Sequence, residues 1–535
     1  MTWRRALRLT RSTLAGIAIA VGGLLALYAV AMNVFLGTRL FRHLISYDPG
    51  SLLVDYDKAY SLWPGRIHVE GLVIRGRDHN VEWTLVLDRC DFGEHFADLL
   101  HRQFHAGPVT CDGLNLRLRR RKAAWTAAEI AATPPVPGFS DPALPEPGPV
   151  PPPLTDANYK LWSIRLDDVE ARHVREIWVD TFRSAGDSEV LGRWLFRPQR
   201  WLEVGPAKVH VHPVEVGRGQ VAALATDVRG TLEVTVHPVD LLAVRSADIF
   251  HDVSVGGSVA ADAHLTNLAH ALAPTLRVEA SNAALTARLA IKRGVVNPGS
   301  EIHVAEFRSR ANAGSLSAEG SFLVDALANA PGRIHADVAA RELLAKVGSH
   351  SMRGNMNVAV EHRRDRGWTD FSGSGLSFTG AAQTNGKDDT PNDWWVRAEL
   401  RRAIFESKQG PHLRADVQLQ ARDASPLTAA VSRDTPLPSW LVNAVSTANF
   451  DTRGEILVSP SAIEARAVDA RAKGVDASFA FLTRAPETDW ALFVDLGLLK
   501  AGVGSHDGKG AVVLLGARSW FDERAATIRA AGVHD

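Results

Sequence analysis

Hydrophobic and polar positions along this chain fall into two regimes. From Ser12 to Thr38 there is no alternation: the stretch carries no charge and is mostly apolar. Leu14, Ile17, Ile19, Val21, Leu24, Leu25, Leu27, Val30, Val34, Phe35 and Leu36 give it a greasy surface. A bilayer core takes about 20 such residues as a helix. The pattern therefore predicts one transmembrane helix over 12–38. Arg4, Arg5, Arg8 and Arg11 precede it, so residues 1–11 read as a basic tail that stays cytoplasmic while the chain beyond Thr38 is exported. Ala29-Val30-Ala31 keeps a cleaved signal peptide as the alternative. The apolar run continues past it through Leu36, which argues for an uncleaved anchor. No second run of this length occurs, so a single pass is expected.

Beyond the anchor the rhythm is period 2, the mark of strands with one face turned inward. Residues 39–132 read as a strand–helix–strand unit. Arg66 to Ile74 and Trp83 to Phe92 are predicted strands. Phe92, Phe96, Leu99, Leu100 and Phe104 recur at helical spacing and predict a short amphipathic helix. Val109 to Arg120 is predicted as one long strand, with Leu114, Leu116 and Leu118 alternating. Residues 133–154 are dense in proline and predict a semi-rigid linker or surface insert. Residues 155–535 read as a long series of strands separated by turn residues, the spacing of an antiparallel meander. Short helices are expected at Val239 to Val244, Arg341 to Val347, Pro426 to Val431 and Ser439 to Val445. A hydrophilic hairpin tip is expected at Thr384 to Asp393, and the last dozen residues are expected to fray. The fold class is thus mainly β: an N-terminal transmembrane helix, then an elongated, curved antiparallel sheet, groove-like, with short interspersed helices.

Charge narrows the function classes. The chain has 60 basic and 60 acidic residues, so no basic excess is available for phosphate neutralisation, and nucleic acid is not an expected partner. Arg117, Arg119, Arg120, Arg121 and Lys122 form a local basic cluster. Anionic lipid is one reading of it; a solvated strand edge, where charge blocks edge pairing, is the other and is preferred.

Only two cysteines occur, Cys90 and Cys111. Export would permit a disulfide between them; two small buried thiols are the alternative. His210 and His212 share a strand face, but no third ligand is nearby in sequence, so no metal is expected. The run Gly502 to Gly510 lacks phosphate-loop spacing and reads as a glycine-rich turn between strands. Adjacent Ser505, His506 and Asp507 cannot form a triad within an extended chain. Gly373-Ser374-Gly375 lacks the outer glycines of a nucleophile elbow. No constellation supports an enzyme, and no cofactor is expected.

The anchor over 12–38, the strand around Ile67, Val69, Gly71, Leu72 and Ile74, the helix Phe96-Ala97-Asp98-Leu99-Leu100, and the strand Val109 to Leu118 with Gly113 together resemble the AsmA-like envelope proteins, the group that includes TamB. The resemblance covers about the first 120 residues. It implies a curved sheet, open along one side, whose apolar inner face shields acyl chains while head groups stay in water. Candidate lining residues are Leu114, Leu116, Leu118, Leu285, Ala287, Leu289 and Ile291, with ordinary core packing as the alternative for each.

The resulting expectation is a single-pass bacterial inner-membrane protein with its bulk in the periplasm, acting without catalysis in outer-membrane biogenesis or envelope lipid homeostasis. Its expected partners are phospholipid, the inner membrane, and periplasmic or outer-membrane proteins. The alternative is a non-enzymatic scaffold for outer-membrane protein assembly.

Overall fold

The computed structural model describes residues 3–46, 52–77, 81–120, 126, 136–139, 163–197, 200–219, 222–241, 248–272, 278–313, 316–347, 350–364, 367–380, 394–406, 412–422, 449–459, 462–484, 487–506 and 509–532. The chain is mainly β, with a large curved sheet, one N-terminal apolar helix and a few short helices. Contacts divide it into two compact units. The first comprises residues 1–263 and 286–295, the second residues 264–285 and 296–535.

The first unit opens with α1 (Trp3–Gly37) and α2 (Arg39–Ile45). Within α1, Gly16–Gly37 is apolar enough and long enough to cross a membrane. Four strands follow: β1 (Leu52–Asp55), β2 (Lys58–Trp63), β3 (Arg66–Arg77) and β4 (Val81–Glu94). Next come α3 (Phe96–Leu99), β5 (Gln103–Asp112), β6 (Asn115–Arg120), β7 (Ser163–Arg172), β8 (Glu176–Val179), β9 (Phe182–Arg197), β10 (Trp201–Arg218) and β11 (Ala222–Asp240). Strands β1 and β2 pair antiparallel with β3, and β3 with β4. The other edge of β4 is shared between β5 and β6. Parallel pairing then joins β5 to β7 and β6 to β8, and β9, β10 and β11 continue antiparallel.

The core of this unit gathers Leu36, Tyr56, Ile67, Val69, Leu72, Leu87, Cys90, Val109 and Val169, with Met32 and Phe35 of α1 packed against it. The last turns of α1 are thus part of the body. Cys90 and Cys111 are directly opposed on β4 and β5 and are joined by a disulfide.

Several local expectations change here. The phenylalanine spacing predicted one helix from Phe92 to Phe104, but the helix is a single turn, Phe96–Leu99. Phe92 lies in β4 and Phe104 in β5, with their rings 5.9 Å apart. The long strand Val109 to Arg120 is broken at Gly113, whose φ of +73° is a turn conformation that glycine adopts without strain. The basic cluster is not an open edge, because β6 is paired on both sides. Arg117 meets Glu176, Arg119 meets Glu82 and Arg120 meets Asp180. Arg121 and Lys122 lie outside the described residues. Part of the proline-rich stretch is described: Val136 is buried, and the Phe139 ring lies against the Arg119 guanidinium.

In the second unit the strands from Glu301–Ala313 to Lys509–Val513 follow one another as antiparallel neighbours. Register shifts interrupt several ladders, as between Ala340 and Leu343, where Glu342 takes φ +52°. Such bulges bend the strands that carry them. Arg341 to Val347, predicted as a helix, is the end of the strand Arg333–Val347. Arg, Glu, Leu, Ala and Lys are good helix formers, yet burial of Leu343 and Ala345 between neighbouring strands overrides that propensity.

The described residues of the chain's last part are helical up to Ala531, where fraying was expected. Ala517–Ala531 is a helix, and its Ala517, Phe521, Ala525 and Ile528 pack on Ala480, Leu482, Ala491 and Phe493. Gly502 to His506 is strand, where a turn was expected. Leu265–Leu272 forms a helix that period-2 reading did not separate from the strand before it. The expected helices over 426–431 and 439–445 and the hairpin tip over 384–393 lie outside the described residues.

Candidate functional site

Directly opposed residues on paired strands point to the same side of a sheet, and neighbours along a strand point to opposite sides. Following opposed residues through the second unit therefore traces one face. From Phe307 the trace passes to Phe322, Ala340, Met356, Leu376 and Ala398. It continues through Leu419, Thr452, Ala470, Ala477, Val494 and Ala501. Twelve strands contribute one residue each, and Thr452 alone is polar. With strands about 4.8 Å apart, the row extends for roughly 50 Å along the sheet. A second row beside it adds Phe378, Val396, Ala421 and Phe450, which close over Met352 and Trp394 as a local cluster.

The residues next along the same strands trace the other face. They are Asn355, Ser377, Arg397, Gln420, Asp451 and Arg471, then Asp476, Asp495 and Lys500. Every one is polar or charged. The sheet is two-sided by sequence along these rows: except at Asp451-Thr452, the paired strands place an apolar residue and a polar one at adjacent positions. On the polar side a cleft of about 650 Å³ is lined by Glu279, Arg308, Arg310, Glu319, Glu342 and Arg353, among others.

Burial is uneven along the row: Ala340 and Val494 are 1% exposed and Ala501 is 3% exposed. Under the C-terminal helix, Phe493 falls to 5% exposed and Ala491 to 0%. Phe307, Phe322, Met356, Leu376 and Leu419 are only half-buried.

The lining residues picked out by sequence fall elsewhere. Leu114 packs on the core of the first unit. Leu116 stands opposite Leu85 and Leu118 opposite Trp83, all half-buried. Leu285, Ala287, Leu289 and Ile291 form the half-buried side of Ala283–Lys292, alternating with exposed Ala284, Thr286 and Arg288. The twelve-strand row was missed because no single strand carries it: Met356 and Leu376 become neighbours only through register.

One polar cluster stands apart in the first unit. His105 lies 2.6 Å from Asp98 and 2.9 Å from Asp167, and its ring stacks on His95 at 4.3 Å. Burial pulls the His105 pKa down, but the hydrogen bonds to the Asp98 and Asp167 carboxylates outweigh this and raise it. Beside it Glu94 is buried, with neither carboxylate oxygen hydrogen-bonded, and its carboxyl is pushed up to about 7. Among the described residues no three His, Cys, Asp or Glu side chains converge as metal ligands; His210 makes its contact with Thr231.

No family model matches the sequence, and no curated protein matches it.

Proposed function

We propose that this chain is a membrane-anchored, non-catalytic protein of the bacterial envelope, and that the apolar row from Phe307 to Ala501 holds phospholipid acyl chains. In this reading α1 anchors the chain in the inner membrane. The sheet stands in the periplasm, and the protein serves outer-membrane biogenesis or envelope lipid homeostasis. The observation that carries it is the apolar row, in which Phe307, Phe322, Met356, Leu376 and Leu419 are half-buried, backed by a polar row on the other face. Such a surface gains about 0.8 kcal/mol for each methylene it removes from water, and it needs no reacting group. Half of a bilayer core is about 15 Å thick, so a row of roughly 50 Å offers room for acyl chains placed side by side. The Cys90–Cys111 disulfide fits an exported compartment. The basic residues ahead of α1 fit an exported body, and the resemblance to AsmA-like proteins points the same way.

The test places a photoreactive diazirine amino acid at Leu376 or at its neighbour Ser377 in the full-length chain. Membranes are then irradiated and the protein is analysed by mass spectrometry. Phospholipid adducts at 376 and none at 377 are expected. A folded protein with no lipid adduct at 376, or with adducts to other proteins there, moves the function to an assembly scaffold.

A further inference from the structure

Helix α1 does not enter the body as a bare stalk, because β2 runs back along it. The Ser61 N–H donates to Asn33 Oδ1 at 3.0 Å, and Asn33 Nδ2 donates to the Ser61 carbonyl at 2.8 Å. The Tyr28 hydroxyl lies 2.8 Å from Ser61 Oγ and donates to the Trp63 carbonyl at 3.5 Å. These bonds set the level of the turn between β2 and β3 against the helix. The turn stands level with Tyr28, which is nine residues before Gly37 and inside the apolar span Gly16–Gly37. That is about 13 Å along the axis from the span's end.

The end of α1 is already engaged in the protein. Met32, Phe35 and Leu36 pack in the core of the first unit, and Leu36 is fully buried. The length of α1 free on all sides runs from Ser12 to about Tyr28, roughly 25 Å of helix, near the short end of what crosses a bilayer; beyond it one face is packed in the body while Val30 and Val34 on the other stay exposed. On that count the bilayer surface falls where the turn stands.

The turn is made for such a surface. Leu62 is 68% exposed and Trp63 is 62% exposed, Pro64 is exposed, and exposed Arg66 stands opposite Trp63. Two large apolar side chains at the tip of a hairpin thus keep about two thirds of their surface exposed. Trp and Tyr favour the headgroup layer, where the ring body is shielded and the polar atom stays wet. Arginine beside them can bury its stem and keep its guanidinium at the phosphates.

We infer that the Leu62–Trp63 turn is inserted in the headgroup layer of the leaflet on the body's side, with Tyr28 and Trp63 as an aromatic pair at one depth. The inference rests on the reading of α1 as a membrane anchor. It makes the bilayer surface a second point of attachment for the first unit, and it brings β2 and β3 to the lipid.

The experiment uses the full chain in phosphatidylethanolamine–phosphatidylglycerol vesicles, with its native cysteines kept in their disulfide. A single cysteine is introduced by Trp63→Cys, Val21→Cys or Glu215→Cys and labelled with an environment-sensitive fluorophore. Circular dichroism checks folding, and Leu62→Cys replaces Trp63→Cys if that variant does not fold. Spin-labelled lipid should quench positions 21 and 63, while aqueous iodide should quench only 215. Quenching by lipid at 21 with iodide access at 63 overturns the inserted turn and leaves the anchor standing. Iodide access at both 21 and 63 overturns anchor and turn together.

Discussion

Glu82 and Arg119 stand directly opposite each other on β4 and β6, their side chains 2.6 Å apart and both nearly free of solvent. The Phe139 ring lies over the guanidinium, its centroid 4.8 Å away. A charge held in such a place depends on its partner, since removal of one leaves the other desolvated and unpaired. Arg119→Met should destabilise the protein by about 3–5 kcal/mol. The double variant Glu82→Leu with Arg119→Met should regain most of that loss. Urea unfolding of the four proteins gives the coupling; additive effects would show that the pair does not act as a unit.

The disulfide between Cys90 and Cys111 closes 21 residues of sequence. It ties β4 to β5 and so supports the strand from which the parallel pairing to β7 begins. Replacing both cysteines with alanine should cost about 3 kcal/mol by the chain-entropy account. The check is unfolding of the double variant beside the wild type with and without reductant. Reductant should lower the wild type to the level of the variant and leave the variant unmoved.

Glu94 supplies a pH dependence. Burial raises its carboxyl to about 7; the nearby His105 works against this and Asp98 adds to it. The folded state therefore holds this proton more tightly than the unfolded chain, where the group titrates near 4.5. The stabilisation is fully present below about pH 4.5 and is lost as the pH rises through 7. Glu94→Gln should leave stability almost unchanged at pH 4.5. At pH 8 it should make the protein more stable than the wild type by up to about 3 kcal/mol. His105, also raised, stays in both proteins, and because it interacts with Glu94 the difference reads the two groups together. Denaturant titrations at the two pH values decide it; a difference that does not change with pH would refute the buried acid.

How far the sequence reveals this structure depends on the range of the interaction. Alternation is local, and it marks strands such as Trp395–Glu406 and Phe450–Val458 correctly as two-faced. The uncharged run before Thr38 is equally local. Arg341 to Val347 misleads because its residues favour a helix while its neighbours in space demand a strand. The phenylalanines from 92 to 104 mislead because two strands joined by one helical turn mimic a helical stripe. The apolar row is the least legible feature. Leu376 and Leu419 belong to strands separated by Trp395–Glu406, and only the ladder of hydrogen bonds brings Leu376, Ala398 and Leu419 into line. The candidate leucines at 114–118 were visible because they alternate within one short segment, and Leu114, partly buried, packs against the core of the first unit.

The row itself yields the sharpest contrast, because Leu376 and Ser377 share a strand and differ in the face they serve. Leu376 lies between Met356 and Ala398, half-buried, and Ser377 lies between Asn355 and Arg397. Leu376→Gln keeps the size of the side chain and puts an amide where an acyl chain would rest. Full transfer of a leucine side chain is worth about 1.5–3 kcal/mol. A site that loses such a contact should therefore hold phospholipid about tenfold or more weakly, at 1.4 kcal/mol per decade. Ser377→Gln changes the polar face by a comparable volume and should leave bound lipid unchanged. Phospholipid per protein, measured by mass spectrometry on full-length chains purified under identical conditions, reads the difference, with circular dichroism to certify the sheet. Equal lipid content in the two variants, both folded, would remove the row from lipid binding. A loss confined to Leu376→Gln would tie the bound lipid to this face.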